Sequence, residues 1–113
     1  MKKNVIAKQI TENNALIIDS IVDVVISEWN NRFLRDDIFS ANIRGDAVAA
    51  RNMVFVLTSK TTAFTPKEIS KYFKKVSDFT VRNAICFFSK LDKNNKFDKI
   101  IIDRHERVLQ LIK

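Results

Sequence analysis

The stretch that decides the fold is TPKEISKYFKKVSDFTVRNAICFF, residues 65–88. Thr65 precedes a proline, and Glu68 follows three positions after the threonine, which is the pattern of a capping box at a helix start. Ser77 and Asp78 mark a second start, because serine caps free N–H groups and the helix dipole favours an early carboxylate. Two short helices separated by so short a turn predict a helix-turn-helix unit.

The second of these helices has one apolar face. Its apolar residues recur at the i, i+3, i+4 and i+7 positions that share one side of a helix, namely Val81, Ala84, Ile85 and Phe88. Helix-turn-helix units commonly bind DNA with the second helix. If the apolar face points inward, the side chains available to contact DNA bases are those of Phe79, Thr80, Arg82 and Asn83. Asparagine can bridge adenine, arginine can bridge guanine, and an apolar ring or a threonine methyl group can contact a thymine methyl group. The alternative is that Phe79 packs under the preceding turn and the rest is a solvated face.

Helical spacing of apolar residues extends over most of the chain. It predicts a long helix over residues 13–31, a short helical turn over 35–40, a helix over 46–60 and a last helix from about residue 97. The expected fold is therefore a single all-α domain over residues 1–113, a bundle of five or six helices. Residues 1–12 are expected to form a disordered N-terminal tail.

Glycine and proline each occur once among the 113 residues. This composition excludes the glycine-rich loops of nucleotide-hydrolysing and dinucleotide-binding proteins, and it disfavours all-β folds, which need many tight turns. The single cysteine excludes a disulfide framework and a cysteine-based zinc site. No continuous apolar run is long enough to span a membrane, so we expect a cytoplasmic protein.

The positive charge is confined to the second half of the chain. Residues 1–59 hold seven basic and seven acidic side chains, whereas residues 60–113 hold thirteen basic and six acidic ones, which accounts for the net charge of +7. A localised basic field is typical of surfaces that bind nucleic acid, although lysine is also a common solubilising residue. The residues expected to contact phosphates around the second helix are Lys60, Lys67, Lys71, Lys74, Lys75 and Lys90.

Nothing in the sequence indicates an enzyme. His105 is the only histidine and is expected to pack or to form a surface hydrogen bond, and Cys86 is expected to be a buried, unreactive thiol. The adjacent carboxylates Asp36 and Asp37 lack the further oxygen ligands of a calcium site. We therefore expect no catalytic residue, no cofactor, no metal and no small-molecule substrate.

The order of residues resembles the C-terminal DNA-binding domain of the bacterial replication initiator DnaA, which has a Trp-repressor-like fold. The resemblance runs from about residue 37 to residue 88 and is looser over most of the remaining chain. It rests on Ala50-Arg51-Asn52-Met53, Leu57, Thr62, Glu68-Ile69, Phe73, Thr80-Val81 and Ala84. The resemblance implies a double-stranded DNA partner, a preferred sequence, a role in replication initiation or its regulation, and a nucleoid-associated protein.

The resemblance also implies roles for two arginines. Arg51 matches a family arginine near the DNA backbone, and Arg44 is the candidate for the minor groove. The family's Asp-His-Thr-Thr recognition signature aligns with Ser77-Asp78-Phe79-Thr80, so only the last position matches. This departure leaves open a second hypothesis: a protein-interaction module that has lost specific DNA readout. Such a module should expose an apolar patch that includes Phe55, Phe79 or Phe87 and that a protein partner would cover. The first helix, if incompletely covered, could also form a homodimer.

Overall fold

The computed structural model describes residues 2–40 and 45–112, with side chains from residue 15 onward, and this part of the chain forms six helices and no strand. The helices are α1 (Lys2–Glu28), α2 (Arg35–Phe39), α3 (Asp46–Thr61), α4 (Pro66–Ser70), α5 (Asp78–Ser89) and α6 (Lys96–Ile112). The predicted all-α class is confirmed. Within these described residues, no helix combines the length and the apolarity that crossing a bilayer requires.

Most helix boundaries fall close to their predicted positions, and α1 differs most. It begins at Lys2, before the predicted start at residue 13, and it ends at Glu28 rather than at residue 31. The end of α1 has a local cause, because Asn30 and Asn31 both have a φ of 57°. Asparagine enters this left-handed region more readily than most residues do, and it stops a right-handed helix there.

The start of α4 is the capping box expected from the sequence. The Glu68 backbone N–H donates to Thr65 Oγ1 at 3.2 Å, and the Thr65 backbone N–H donates to Glu68 Oε1 at 3.1 Å. Helix α4 ends at Ser70, and residues 71–77 form the turn that leads to α5. Ser77 Oγ then accepts a hydrogen bond from the backbone N–H of Thr80 at 3.2 Å, which caps α5. The two predicted helix starts are confirmed.

Helix α3 is the central element and contacts every other helix of the described chain. The sequence predicts only one inward face for it, with Ala50, Met53, Val54 and Leu57 buried. The structure also buries Phe55, whose ring meets that of Phe73 edge-on with 4.9 Å between centroids. A helix that packs against several others buries more than one of its sides, so its core positions exceed one stripe.

Helix α6 departs from the predicted apolar side of Phe97, Ile101, Val108 and Ile112. Val108 is fully buried, but Phe97 and Ile101 are exposed. Helix α6 packs on α1 and α3, whereas it makes little contact with α5. Its N-terminal part therefore has no neighbour to bury its apolar side chains.

Replacing Thr65 with alanine tests the local control of the α4 start. The variant loses the hydroxyl that accepts the Glu68 N–H, so its free energy of unfolding should fall by about 1 kcal/mol. Urea denaturation monitored by circular dichroism measures this change. The control is Thr61→Ala, because the Thr61 hydroxyl donates only to the Leu57 carbonyl of its own helix, at 2.8 Å. Equal stability losses in both variants would contradict the capping role.

Candidate functional site

Helix α5 is buried on one side and presents its other side to solvent. Val81 and Ala84 are buried where α5 packs against α3 and α4. Phe79 is 67% exposed, and Asn83 is also exposed. Thr80 is half-buried, and its hydroxyl lies 3.2 Å from Ser77 Oγ. The side chains that the sequence assigns to base contacts therefore lie on the accessible side of the helix.

Arg82 is exposed but has an intramolecular partner. One of its terminal nitrogens lies 2.6 Å from Asp78 Oδ2, one helical turn earlier. An exposed pair at this spacing contributes little stability, typically about 0.3–0.5 kcal/mol. The pair can therefore open at small cost, yet Asp78 also places a negative charge at the front of α5.

Four exposed lysines occupy α4 and the turn that follows it: Lys67, Lys71, Lys74 and Lys75. None of them forms an ion pair within the described residues, where every ion pair uses an arginine instead. The single acidic residue of this segment is Glu68, and its carboxylate is held by the capping box. The segment is therefore a positive surface next to the start of α5.

The other predicted cations are not gathered at this surface. The Lys60 ammonium lies over the Phe88 ring, 4.4 Å from its centroid, and Lys90 is the C-cap of α5, at the end opposite Asp78. Arg51 is half-buried on α3. The predicted minor-groove residue Arg44 lies outside the described residues.

A cavity of about 490 Å³ lies between α5 and α6. Helix α3 forms its floor, with Arg51 and Asn52, because both α5 and α6 pack on α3 but hardly on each other. The α5 wall includes Phe79, Thr80 and Asn83. Three of the four residues predicted for base contacts therefore line this cavity, and Arg82 does not.

Three side-chain nitrogens of the cavity lining are buried and have no hydrogen-bond partner in the described structure. They are Arg51 Nε, Arg104 Nε and His105 Nδ1. Burial lowers the pKa of Arg51, whose guanidinium lies 5.5 Å from the Phe55 ring centroid. Arg104 also lines the cavity; its Nε lies 3.5 Å from Glu28 Oε1, an ion-pair distance without hydrogen-bond geometry.

His105 is more buried than an ordinary surface histidine. It is only 6% exposed and its ring stacks on that of Phe88, with 4.2 Å between centroids. Burial, and then the charges of Lys60 and Arg104, lower the pKa of His105 to about 4. The imidazole is therefore neutral at physiological pH, which agrees with the packing role that the sequence suggests.

Exposed apolar side chains surround the mouth of the cavity. Phe87 is 64% exposed, and Phe79 and Ile100 are exposed as well.

Two predictions from the sequence are wrong in this region. Phe55 is fully buried and cannot belong to a surface patch, and Cys86 is exposed rather than buried. Cys86 sits beside an apolar stripe in sequence, but α5 has no neighbour on that side.

Sequence reasoning missed the cavity itself. Its residues come from α3, α5 and α6 and the end of α1, so no single segment reveals it. A partial signal existed, because Phe79 and Phe87 lie outside the inward stripe of α5 and are too large for an ordinary solvated face.

Comparison with protein-family models, with curated proteins and with solved structures gives no match to this chain. Among the described residues, no group of three or more histidine, cysteine, aspartate or glutamate side chains could hold a metal ion.

The depressed pKa of His105 predicts a loss of stability in mild acid. The unfolded chain binds a proton near pH 6.5 but the folded chain only near pH 4, so protonation favours unfolding as pH falls through this window. The free energy of unfolding should decrease by roughly 2 kcal/mol between pH 7.5 and pH 5 from this group alone. Urea denaturation at the two pH values measures it.

The control is His105→Phe, which keeps a ring against Phe88 and removes the titration. This variant should lose that part of the pH dependence. Because His105 is the only histidine, its ring signals in an NMR titration report the pKa directly. A midpoint near pH 6.5 in the folded protein would contradict the prediction.

Proposed function

We propose that this protein binds double-stranded DNA through α4, the following turn and α5, with a preference for particular sequences. The observation that carries the proposal is the set of four lysines Lys67, Lys71, Lys74 and Lys75, which are exposed and have no acidic partner within the described residues. Lysines without intramolecular partners are available to phosphates, and each neutralised phosphate releases counterions.

The arrangement of α4 and α5 suits the usual docking of two such helices on a duplex. Helix α4 would cross the backbone, and the N-terminal end of α5 would enter the major groove. Asn83 and Arg82 would then contact base edges, with Thr80 and Phe79 against thymine methyl groups. In this arrangement the remaining predicted cations would contact phosphates at the periphery of the interface; they are Lys60, Lys90 and Arg51.

The resemblance to the DnaA C-terminal domain supports a more specific form of the proposal. In that form the protein acts in replication initiation or in its regulation and works close to the nucleoid. Arg51 would approach the DNA backbone and Arg44 would reach the minor groove. The capped pair of α4 and α5 is consistent with the helix-turn-helix that this form requires.

Charge reversal on the turn tests phosphate binding. Lys71→Glu/Lys74→Glu should weaken binding to every duplex alike, and wild-type log K should fall against log salt with a slope of roughly −4 to −5 for about five phosphate contacts. Fluorescence anisotropy with labelled duplexes at several salt concentrations measures both. The matched control is Lys93→Glu/Lys99→Glu, which makes the same change of charge at exposed positions outside α4 and α5. Equal losses in both double variants would show that net charge alone is responsible.

Two substitutions on α5 test base readout. Asn83→Ala should relax the preference at one base pair, by roughly 1–3 kcal/mol, in a duplex selected from random sequences. Asp78→Asn should tighten binding, because it frees Arg82 and removes a charge that repels phosphate. If wild type and Asn83→Ala bind all duplexes equally, base readout by α5 is refuted.

The exposed apolar residues at the cavity mouth favour a second candidate function, a protein-interaction module. Phe79 and Phe87 would then form the contact rather than face bases. A gel shift with an AT-rich duplex at physiological salt separates the two functions. Absence of retardation at protein concentrations on the order of tens of micromolar, where even non-specific DNA binding is normally visible, would favour the interaction module.

A further inference from the structure

The cavity between α5 and α6 has the dimensions of a small-molecule site. Its volume of about 490 Å³ falls within the roughly 300–1,000 Å³ that such sites occupy. Helix α3 closes it from below, and the stacked rings of Phe88 and His105 both line it. The opposite side includes Trp29, which is buried beneath the Arg104 guanidinium at 4.5 Å.

The charged side chains that line the cavity are all positive. Two arginines, Arg51 and Arg104, line the cavity, and no carboxylate does. Arg104 is paired with Glu28, which it shares with Arg107, whereas Arg51 has no ion pair in the described structure. A half-buried guanidinium without an anion loses hydration that nothing replaces, so an anion beside it gains a strong, charge-assisted hydrogen bond.

The unpaired nitrogens indicate where such an anion would be held. Arg51 Nε is a donor that is buried and unpaired, and arginine cannot act as an acceptor. His105 Nδ1 is also buried and unpaired, and a neutral imidazole can present either an N–H or a lone pair there. Arg104 Nε is a third such atom in the lining. Buried polar atoms are normally hydrogen-bonded, so three unpaired ones in one lining are typical of a site that a ligand completes.

Apart from Asn52, Thr80 and Asn83, the remaining lining is apolar and includes four aromatic side chains. Phe79 and Phe87 from α5 stand opposite Ile100 and Ile101 from α6. These side chains are partly or mostly exposed, which leaves apolar surface in contact with water. A flat apolar body between the two helices would remove that surface from water and stack on the phenylalanine rings.

We propose that this cavity binds a small organic anion with an aromatic body, whose carboxylate lies against Arg51 and whose ring lies between α5 and α6. A cation is disfavoured by the two arginines, and a nucleic acid strand is too large for the cavity. The proposal goes beyond DNA binding and does not depend on it.

Two probes of the same shape test the proposal: 2-naphthoate, which is anionic, and 2-naphthamide, which is neutral. The chain has one tryptophan and one histidine, Trp29 and His105, and both line the cavity. Their indole N–H and imidazole signals therefore report occupancy by NMR. The expected result is shifts of both signals with 2-naphthoate and an affinity about tenfold above that of 2-naphthamide.

Variants assign the effect to the site. Arg51→Gln should remove the preference for the anion, and Arg35→Gln should keep it, because Arg35 pairs with Asp19 and Asp23 and does not line the cavity. Asn52→Phe fills part of the floor and should weaken both probes about tenfold. This last variant keeps the proposal testable if Arg51→Gln does not fold.

Three outcomes would overturn the proposal. One is an equal affinity for the two probes in the wild type. Another is binding of 2-naphthoate without shifts of the Trp29 and His105 signals, which would mean that the anion binds elsewhere. The third is absence of binding to a protein that sedimentation shows to be a dimer, which would mean that a second copy covers the cavity. No DNA is present in these experiments, so their results are independent of whether the protein binds a duplex.

Discussion

The packing of five helices on α3 is the constraint on which the rest of the structure depends. Helices α1, α2, α4, α5 and α6 all pack on it, and its buried side chains include Phe55, Met53 and Leu57. Helices α5 and α6 both pack on α3 and meet each other through the stacked rings of Phe88 and His105, and a gap remains beside this contact. The gap leaves Phe79 and Phe87 of α5 and the start of α6 exposed, with Arg51 of α3 at the bottom of a cavity.

Positive charge is divided between two residue types with different tasks. In the described chain, arginines form the ion pairs that join helices, such as Arg35 with Asp19 and Arg107 with Glu28. The lysines of α4 and its turn form none. This division follows from chemistry, because guanidinium groups match carboxylates with two hydrogen bonds, whereas an ammonium group remains hydrated and available to an external anion. The lysines of α4 and its turn are therefore available to bind an external anion.

Helix α5 takes part in both proposals, since Phe79, Thr80 and Asn83 line the cavity and also belong to the proposed base-reading face. A ligand between α5 and α6 and a duplex against α5 would use the same side chains. Two ligands that share contacts lower each other's affinity by the same factor. The lysines lie outside the cavity lining, so phosphate binding would be affected less than base readout.

Local chemistry in the sequence was sufficient for the helix pair. The capping box at Thr65 and the Ser77 cap depend on residues within one turn, and both are confirmed. Of the predicted inward stripe of α5, Val81 and Ala84 are buried, whereas Ile85 and Phe88 are half-buried. Long-range packing decided the rest. It buried Phe55 on a helix surrounded by others, left Cys86 and Ile101 exposed where no helix covers them, and lowered the pKa of His105 through desolvation and nearby cations. The cavity depends on the distance between α5 and α6, which is set by how each packs on α3 and which no pattern within a single helix encodes.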